Sequence, residues 1–142
     1  MKRNTTTRAK AGAVAGMLLL SGLGVVGTAT PAAAANWCNT TLGNFVSGGD
    51  HSLAQIPAYN TSFSCITGRG ASGSHVKAIQ RSLRYCHGRS SVEVDGHFGE
   101  ITETQLEIVQ RALKLDDDGM YGPKTRDKLT WRASDGVCGK LP

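Results

Sequence analysis

The chain has 142 residues and a formal net charge of +5, from sixteen basic and eleven acidic side chains. Four of the basic residues, Lys2, Arg3, Arg8 and Lys10, lie within the first ten positions. The remainder has twelve basic and eleven acidic side chains, a net charge of about +1. So small an excess removes the main support for nucleic-acid binding.

Residues 1–35 have the features of an export signal. The basic leader is followed by a stretch rich in Gly, Ala and Leu at 11–26, and then by the small side chains of 33–35 that a signal peptidase requires. The apolar stretch is short for a membrane anchor, which needs about 20 apolar residues. We therefore expect a signal peptide cleaved after Ala35 and a secreted mature protein that begins at Asn36 and has no membrane span.

Four cysteines lie in the predicted mature protein, at Cys38, Cys65, Cys86 and Cys138. An even number in an exported domain of about 107 residues favours two disulfide bonds. No pair has the Cys-x-x-Cys spacing typical of a zinc site. The pairing of Cys38 with Cys65 and of Cys86 with Cys138 is preferred, because it links each irregular end of the chain to a neighbouring segment. The other two pairings remain open.

The segment 36–68 is predicted to be a loop-rich N-terminal extension tied by the first disulfide. Between Asn36 and Gly73, Gly, Ser, Thr and Asn predominate, and the charged residues are Asp50 and Arg69. This composition indicates loops with short strands. The segment is too short for an independent catalytic domain.

The pattern becomes helical after residue 73, and the predicted fold class is mainly α. Apolar side chains at helical spacing predict a first helix over 74–85, with Ser72 or Ser74 as its N-cap. A second helix is predicted over 100–114, with Glu100 at its positive end. A third, shorter helix is predicted to begin at Pro123, to direct Leu129 into the core and to end near Arg132.

The helical part contains two copies of one unit. Four positions recur thirty residues later: Val76, Ile79, Gln80 and Leu83 correspond to Leu106, Val109, Gln110 and Leu113. A turn with a following threonine recurs twenty-three residues later, as Asp95, Gly96, Phe98, Gly99 and Thr102 become Asp118, Gly119, Tyr121, Gly122 and Thr125. We predict an Asx turn at each aspartate, a positive φ at the next glycine and a buried aromatic ring. Each glutamine is predicted to brace a neighbouring loop.

These motifs together resemble the peptidoglycan-binding domain of the three-helix, two-repeat type. The resemblance covers about Arg69 to Trp131, and it is specific because two Asp-Gly-x-aromatic-Gly turns stand in register with two Val/Ile-Gln pairs. Glu100 departs from the family, which commonly has proline there. The resemblance implies a small helical bundle with two repeats over 69–142. It also implies binding of cell-wall peptidoglycan, usually to bring a tethered hydrolase to its polymer.

Because no hydrolase domain is recognisable, we expect a secreted or wall-associated monomer that binds peptidoglycan without cutting it. A ligand groove is predicted beside the first helix and the turn that follows. Arg81 and Arg84 are expected to meet stem-peptide carboxylates there, and Tyr85 and His97 to supply contact surface. Recognition of glycan or of stem peptide stays open. The alternative is an exported interaction module that regulates a secreted partner enzyme.

Catalytic chemistry has little support in the sequence. The histidines His51, His75, His87 and His97 lie 24, 12 and 10 residues apart, without a second ligand at helical spacing. The acidic residues belong mainly to turns, and no nucleophile elbow is present. We therefore predict no catalytic residue, no metal and no cofactor. Trp37 and Trp131 are predicted to cover the ends of the core, with stacking on sugars as the alternative.

Overall fold

The computed structural model describes residues 36–48 and 52–142. The predicted signal peptide at 1–35, with its cleavage site, and His51 lie outside these ranges. The described residues all belong to one compact unit, Ala33–Pro142. No helix within the described ranges is long and apolar enough to cross a bilayer.

A β-hairpin occupies the segment predicted to be loop-rich. Strands β1 (Thr40–Phe45) and β2 (Leu53–Ala58) pair antiparallel. Along β2, Leu53 is exposed whereas Ala54 and Ile56 are buried, the alternation expected of a strand with one covered face. Strand β2 packs against the first helix. The hairpin therefore forms part of the same core as the helices.

Three helices follow in the described residues: α1 (Ser74–Arg81), α2 (Glu100–Ala112) and α3 (Pro123–Lys128). Each begins where the sequence predicts, so Glu100 opens α2 in place of the proline common in the family. The predicted serine cap of α1 is wrong. The N-cap is Gly73, whose φ of 136° favours glycine, and no side chain caps the helix.

The ends of the helices differ from the prediction. Helix α1 changes at Arg81 into a single π-helical turn, Ser82–Cys86, which we call the π turn. Helix α3 ends at Lys128, four residues early, and the chain turns into β3 (Trp131–Arg132). Both Leu129 and Trp131 are buried, and a helix could not direct side chains two residues apart to the same face. Strand β3 pairs antiparallel with β4 (Cys138–Gly139).

Both preferred disulfides are confirmed. Cys38 bonds to Cys65 and Cys86 bonds to Cys138, across separations of 27 and 52 residues. The chain-entropy model assigns them about 3.5 and 4 kcal/mol of stability. The first closes the hairpin segment, and the second joins the π turn to β4.

The core contains the apolar side chains predicted from the helices and the repeated turns, except that Leu113 is only partly buried. The exposed fraction is at most 1% at Val76, Ile79, Leu83, Phe98, Leu106, Tyr121, Leu129 and Trp131. The rings of Tyr121 and Trp131 meet edge to face at a centroid distance of 6.0 Å. The prediction that Trp37 covers the core is wrong, because that side chain is 56% exposed.

Candidate functional site

Gln80 is buried and holds the turn that follows the first helix. Its Nε2 donates to Asp95 Oδ1 at 2.7 Å, to the carbonyl of His97 at 3.0 Å and to Thr102 Oγ1 at 3.3 Å. Its Oε1 accepts the N–H of Gly96 at 2.8 Å. The predicted bracing role is confirmed, and the hydroxyl oxygen of Thr102 accepts a hydrogen bond from this amide.

Gln110 makes the same contacts thirty residues further along the chain. Its Nε2 donates to Asp118 Oδ1, to the carbonyl of Met120 and to Thr125 Oγ1, at 3.0, 2.9 and 3.2 Å. Its Oε1 accepts the N–H of Gly119 at 2.9 Å. The amide groups of both glutamines therefore bond to protein partners and are not available to a ligand.

The two aspartates also act within the turns. Asp95 accepts the N–H of His97 at 2.8 Å, and Asp118 accepts that of Met120 at 2.9 Å, so the predicted Asx turns are confirmed. The hydrogen bonds from the His97 N–H and then from Gln80 lower the pKa of Asp95. The glycine after each aspartate has the expected positive φ, 82° at Gly96 and 68° at Gly119.

A cavity of about 450 Å³ lies where the hairpin, α1, the π turn and β3 meet. We call it the Tyr85 cleft and define it by Leu53, Gln55, Arg81, Tyr85, Arg132 and Ser134. Its volume falls within the range of ligand-binding sites, about 300–1,000 Å³. Single π turns inside helices are frequent at functional sites, and here the π turn carries Tyr85.

The Tyr85 ring is 51% exposed and lies beside two guanidinium groups. The Cζ of Arg132 is 4.5 Å from the ring centroid, and that of Arg84 is 5.9 Å away. Both distances suit cation–π attraction. Because the Cys86–Cys138 disulfide joins the π turn to the strand paired with β3, a covalent link supports this arrangement.

The charge on the cleft is positive. Arg81 is exposed and has no ion pair or side-chain hydrogen bond within residues 36–48 and 52–142. Arg132 likewise has no salt bridge there, and among the described residues no carboxylate lines the cleft. Asp135 attracts Arg132 electrostatically without forming a salt bridge to it, so both guanidinium groups keep N–H groups free to bind an anion.

The four predicted ligand residues do not share one cavity. Arg81 and Tyr85 line the cleft. Arg84 donates to the carbonyls of Ser90 and Val92, both at 2.6 Å, and thereby holds the long loop after the π turn.

His97 lies elsewhere, in a cavity of about 350 Å³ beside Asp95 and Thr102. Its Nδ1 is 3.0 Å from the hydroxyl of Ser72, the residue predicted to cap α1. Gln55 and Arg132 were not predicted as site residues. The sequence offers no local signal for Arg132, which reaches Tyr85 because β3 packs against the π turn.

Two histidines are partly or fully enclosed. The Nε2 of His87 accepts the N–H of Thr130 at 3.1 Å, and burial, followed by the charges of Arg89 and Lys140, lowers the pKa of its imidazole. Burial also lowers the pKa of His75. In the part of the chain that the structure describes, no three His, Cys, Asp or Glu side chains gather in a metal-binding group.

Residues 72–129 match the family described as "Putative peptidoglycan binding domain". This segment includes α1, the π turn with Tyr85 and both braced turns. This segment belongs to the peptidoglycan-binding domain family. The resemblance predicted from the sequence is confirmed. The family segment contributes Arg81 and Tyr85 to the cleft, whereas Leu53, Gln55 and Arg132 lie outside it.

Two curated relatives have similar sequences. An uncharacterized protein of Kitasatospora aureofaciens is 36% identical over 66 residues, which are 46% of this chain and 56% of that protein. A "Probable N-acetylmuramoyl-L-alanine amidase" of Bacillus licheniformis is 29% identical over 99 residues, which are 61% of this chain and 28% of the relative. The chain thus spans about half the length of the first relative and little more than a quarter of the second.

Two solved structures are similar to part of this chain. The SleB N-terminal domain is 39% identical, with 44% of this chain and 84% of that one covered and a TM-score of 0.42. A peptidoglycan-binding protein from Clostridioides difficile, solved in complex with glutamine hydroxamate, is 29% identical. The match spans 62% of this chain and 55% of the Clostridioides difficile chain, with a TM-score of 0.48.

Proposed function

We propose that this protein is an exported, non-catalytic module that binds cell-wall peptidoglycan. The observation that carries the proposal is the family membership of residues 72–129. The predicted signal peptide at 1–35 supports export to the compartment where peptidoglycan lies. The two disulfides suit such an oxidising environment.

The scaffold is proposed to consist of two copies of one unit. Support comes from the matching hydrogen bonds of Gln80 and Gln110, each to an Asx-turn aspartate, a glycine N–H, a carbonyl and a threonine hydroxyl. A duplicated structural frame leaves the surface around it free to vary. Binding is therefore assigned to surface residues and not to the repeated motif.

The partners of the acidic residues support a role without catalysis. Asp95 and Asp118 are held in Asx turns, and Asp135 accepts the hydroxyl of Ser52 at 2.7 Å. Glu103 pairs with Arg69, and Asp117 pairs with Arg111. Hydrolysis of a glycosidic bond requires two carboxylates that face one substrate bond, and carboxylates committed to turns and ion pairs are poor candidates.

The proposed contact surface is the Tyr85 cleft. Of the four residues predicted from the sequence, Arg81 and Tyr85 are proposed to contact the wall directly. Arg84 is proposed to act by holding the loop at 87–92 beside the π turn, and His97 to offer a separate contact at the first Asx turn. The exposed ring of Tyr85 gives the cleft an aromatic wall of the kind enriched at binding sites.

Retention by purified sacculi tests the proposal. The exported protein should sediment with sacculi in physiological salt, while a secreted control protein with two disulfides and similar net charge should stay in solution. Absence of retention would refute the proposal. Release of soluble muropeptides would refute its non-catalytic part, and co-purification of one secreted partner without sacculus binding would favour the regulatory alternative.

A further inference from the structure

Among the described residues, Arg81 and Arg132 have neither a salt bridge nor a side-chain hydrogen bond, unlike the other arginines, which bond to carboxylates or backbone carbonyls. Arg69, Arg111 and Arg126 form salt bridges with Glu103, Asp117 and Asp127, respectively. Within the described ranges Arg81 has no charged partner. Arg132 forms no salt bridge there: its guanidinium lies over the face of Tyr85, and Asp135 acts on it only through longer-range electrostatic attraction. Because both arginines line the same cavity, one anion bound there can contact both guanidinium groups.

We infer that the Tyr85 cleft binds a free peptide carboxylate, and hence that the protein recognises the stem peptide of the wall and not its glycan. The inference rests on the proposed function. A guanidinium binds a carboxylate through two parallel N–H···O bonds, and Arg is favoured over Lys wherever that geometry matters. The cleft offers such a group on each of two walls, from α1 and from β3.

The uncharged part of the cleft suits a peptide. Gln55 uses its Oε1 to accept the hydroxyl of Thr41 at 3.0 Å, so its amide NH₂ can donate to a ligand carbonyl. Leu53 is 38% exposed and lies with the Tyr85 ring along the cavity. These groups provide apolar contact and a directed donor beside the two cations.

The chemistry of the wall polymer separates the two ligand classes. Its sugars are N-acetylated, and the lactyl carboxyl groups are consumed in the amide bonds that attach the peptides. Free carboxylates are therefore carried by the stem peptides. A site with two arginines free of salt bridges and, in the part of the chain that the structure describes, no carboxylate among its lining residues favours the charged peptide over the neutral glycan.

This site also gives the segments outside the family match a role. The hairpin supplies Leu53 and Gln55, and the segment after α3 supplies Arg132. An isolated segment 72–129 would keep Arg81 and Tyr85 but would lack the opposite wall. The Cys86–Cys138 bond fixes the two walls together.

Calorimetric titration of the exported protein with a synthetic stem pentapeptide tests the inference. The unmodified protein should bind the peptide with free carboxylates, and at least about tenfold more weakly the same peptide with its carboxylates converted to amides. Arg81→Gln and Arg132→Gln should each weaken binding about tenfold or more. Arg132→Lys, which keeps the charge but loses the paired donors, should fall between.

Lys128→Gln is the matched control. Lys128 is exposed at the end of α3 and has no ion pair within the described ranges, so its loss removes one positive charge away from the cleft. Affinity should change by less than about twofold. Because the comparison of acid with amide uses the unmodified protein, it remains informative if an arginine variant fails to fold.

The outcomes distinguish this inference from the proposed function. Retention by sacculi with equal affinity for acid and amide peptides would overturn the inference and leave wall binding intact. The same holds if inorganic phosphate competes with sacculi while the peptide does not bind, because the anion would then come from another wall polymer. Failure of sacculi to retain the unmodified protein would overturn both.

Discussion

The guanidinium carbon of Arg132 lies 4.5 Å from the centre of the Tyr85 ring, although 47 positions separate the two residues in the chain. Tyr85 belongs to the π turn after α1, and Arg132 belongs to β3. The contact closes the cleft between the family domain and the C-terminal segment. Any change that separates these two elements should therefore affect binding before it affects the rest of the fold.

The two disulfides should have different effects on binding. The double variant C86S/C138S should lose about 4 kcal/mol of stability and also lose affinity for sacculi, because it releases β4 from the π turn. C38S/C65S should lose about 3.5 kcal/mol while the Tyr85–Arg132 contact persists. Urea unfolding and sacculus retention, measured at a temperature where both variants are folded, check this. Equal loss of affinity in both variants would contradict it.

Gln110→Ala should destabilise the protein by about 2–4 kcal/mol, because it removes a buried side chain and leaves the N–H of Gly119 without its acceptor. Gln105→Ala, on the same helix, is the control. Gln105 is only partly buried, so its replacement should cost less than about 0.5 kcal/mol. Chemical unfolding with the disulfides intact measures both, and similar values would argue against the bracing role.

Gly119→Ala and Gly88→Ala separate backbone strain from crowding. Both glycines have a φ near the left-handed region, 68° and 67°, which costs an alanine about 1–2 kcal/mol. A Cβ at Gly88 would meet nothing within 4 Å, whereas one at Gly119 would lie 2.7 Å from Glu103 Cγ. Gly119→Ala should therefore lose about 1–3 kcal/mol more in unfolding experiments. A larger loss at Gly88 would contradict the described packing.

Stability should fall as the pH drops below about 6.5, the ordinary pKa of histidine. The pKa of His87 is lowered in the folded protein, first by burial, so the unfolded chain binds more protons in that window. The stabilisation is complete above this range and is lost as the pH falls toward the folded pKa. His87→Gln should flatten the profile of unfolding free energy between pH 8 and pH 5. A smaller slope should remain from His75, whose pKa is lowered by burial.

The helical part was predictable because its signals are local. A glycine followed by an acidic residue or a proline marks the starts of α2 and α3, and the repeated spacing of the glutamines and aspartates identifies the braced turns. Such signals depend on residues close in sequence. The helix starts and the Asx turns therefore agree with the structure.

The hairpin and the π turn lack comparable signals. Strand β2 buries the small side chains of Ala54 and Ala58 and contains Pro57, so its composition predicts a strand only weakly. In the π turn the N–H of His87 bonds to the carbonyl of Ser82, five residues earlier, in place of the usual four. The cleft depends on both elements, and for this reason the sequence predicted Arg81 and Tyr85 but missed Arg132.

The two disulfide-closed loops follow one another along the chain, from 38 to 65 and from 86 to 138, without overlap. A protease that nicks either loop once would leave a single covalently connected molecule. Between the two loops, a cut within residues 66–85 would separate the two disulfide-closed parts, and more than half of that stretch lies in α1 and the π turn, with the face of α1 toward β2 buried. The exposed sites at which one cut would separate the two disulfide-closed parts therefore lie mainly in the short turn at 69–73.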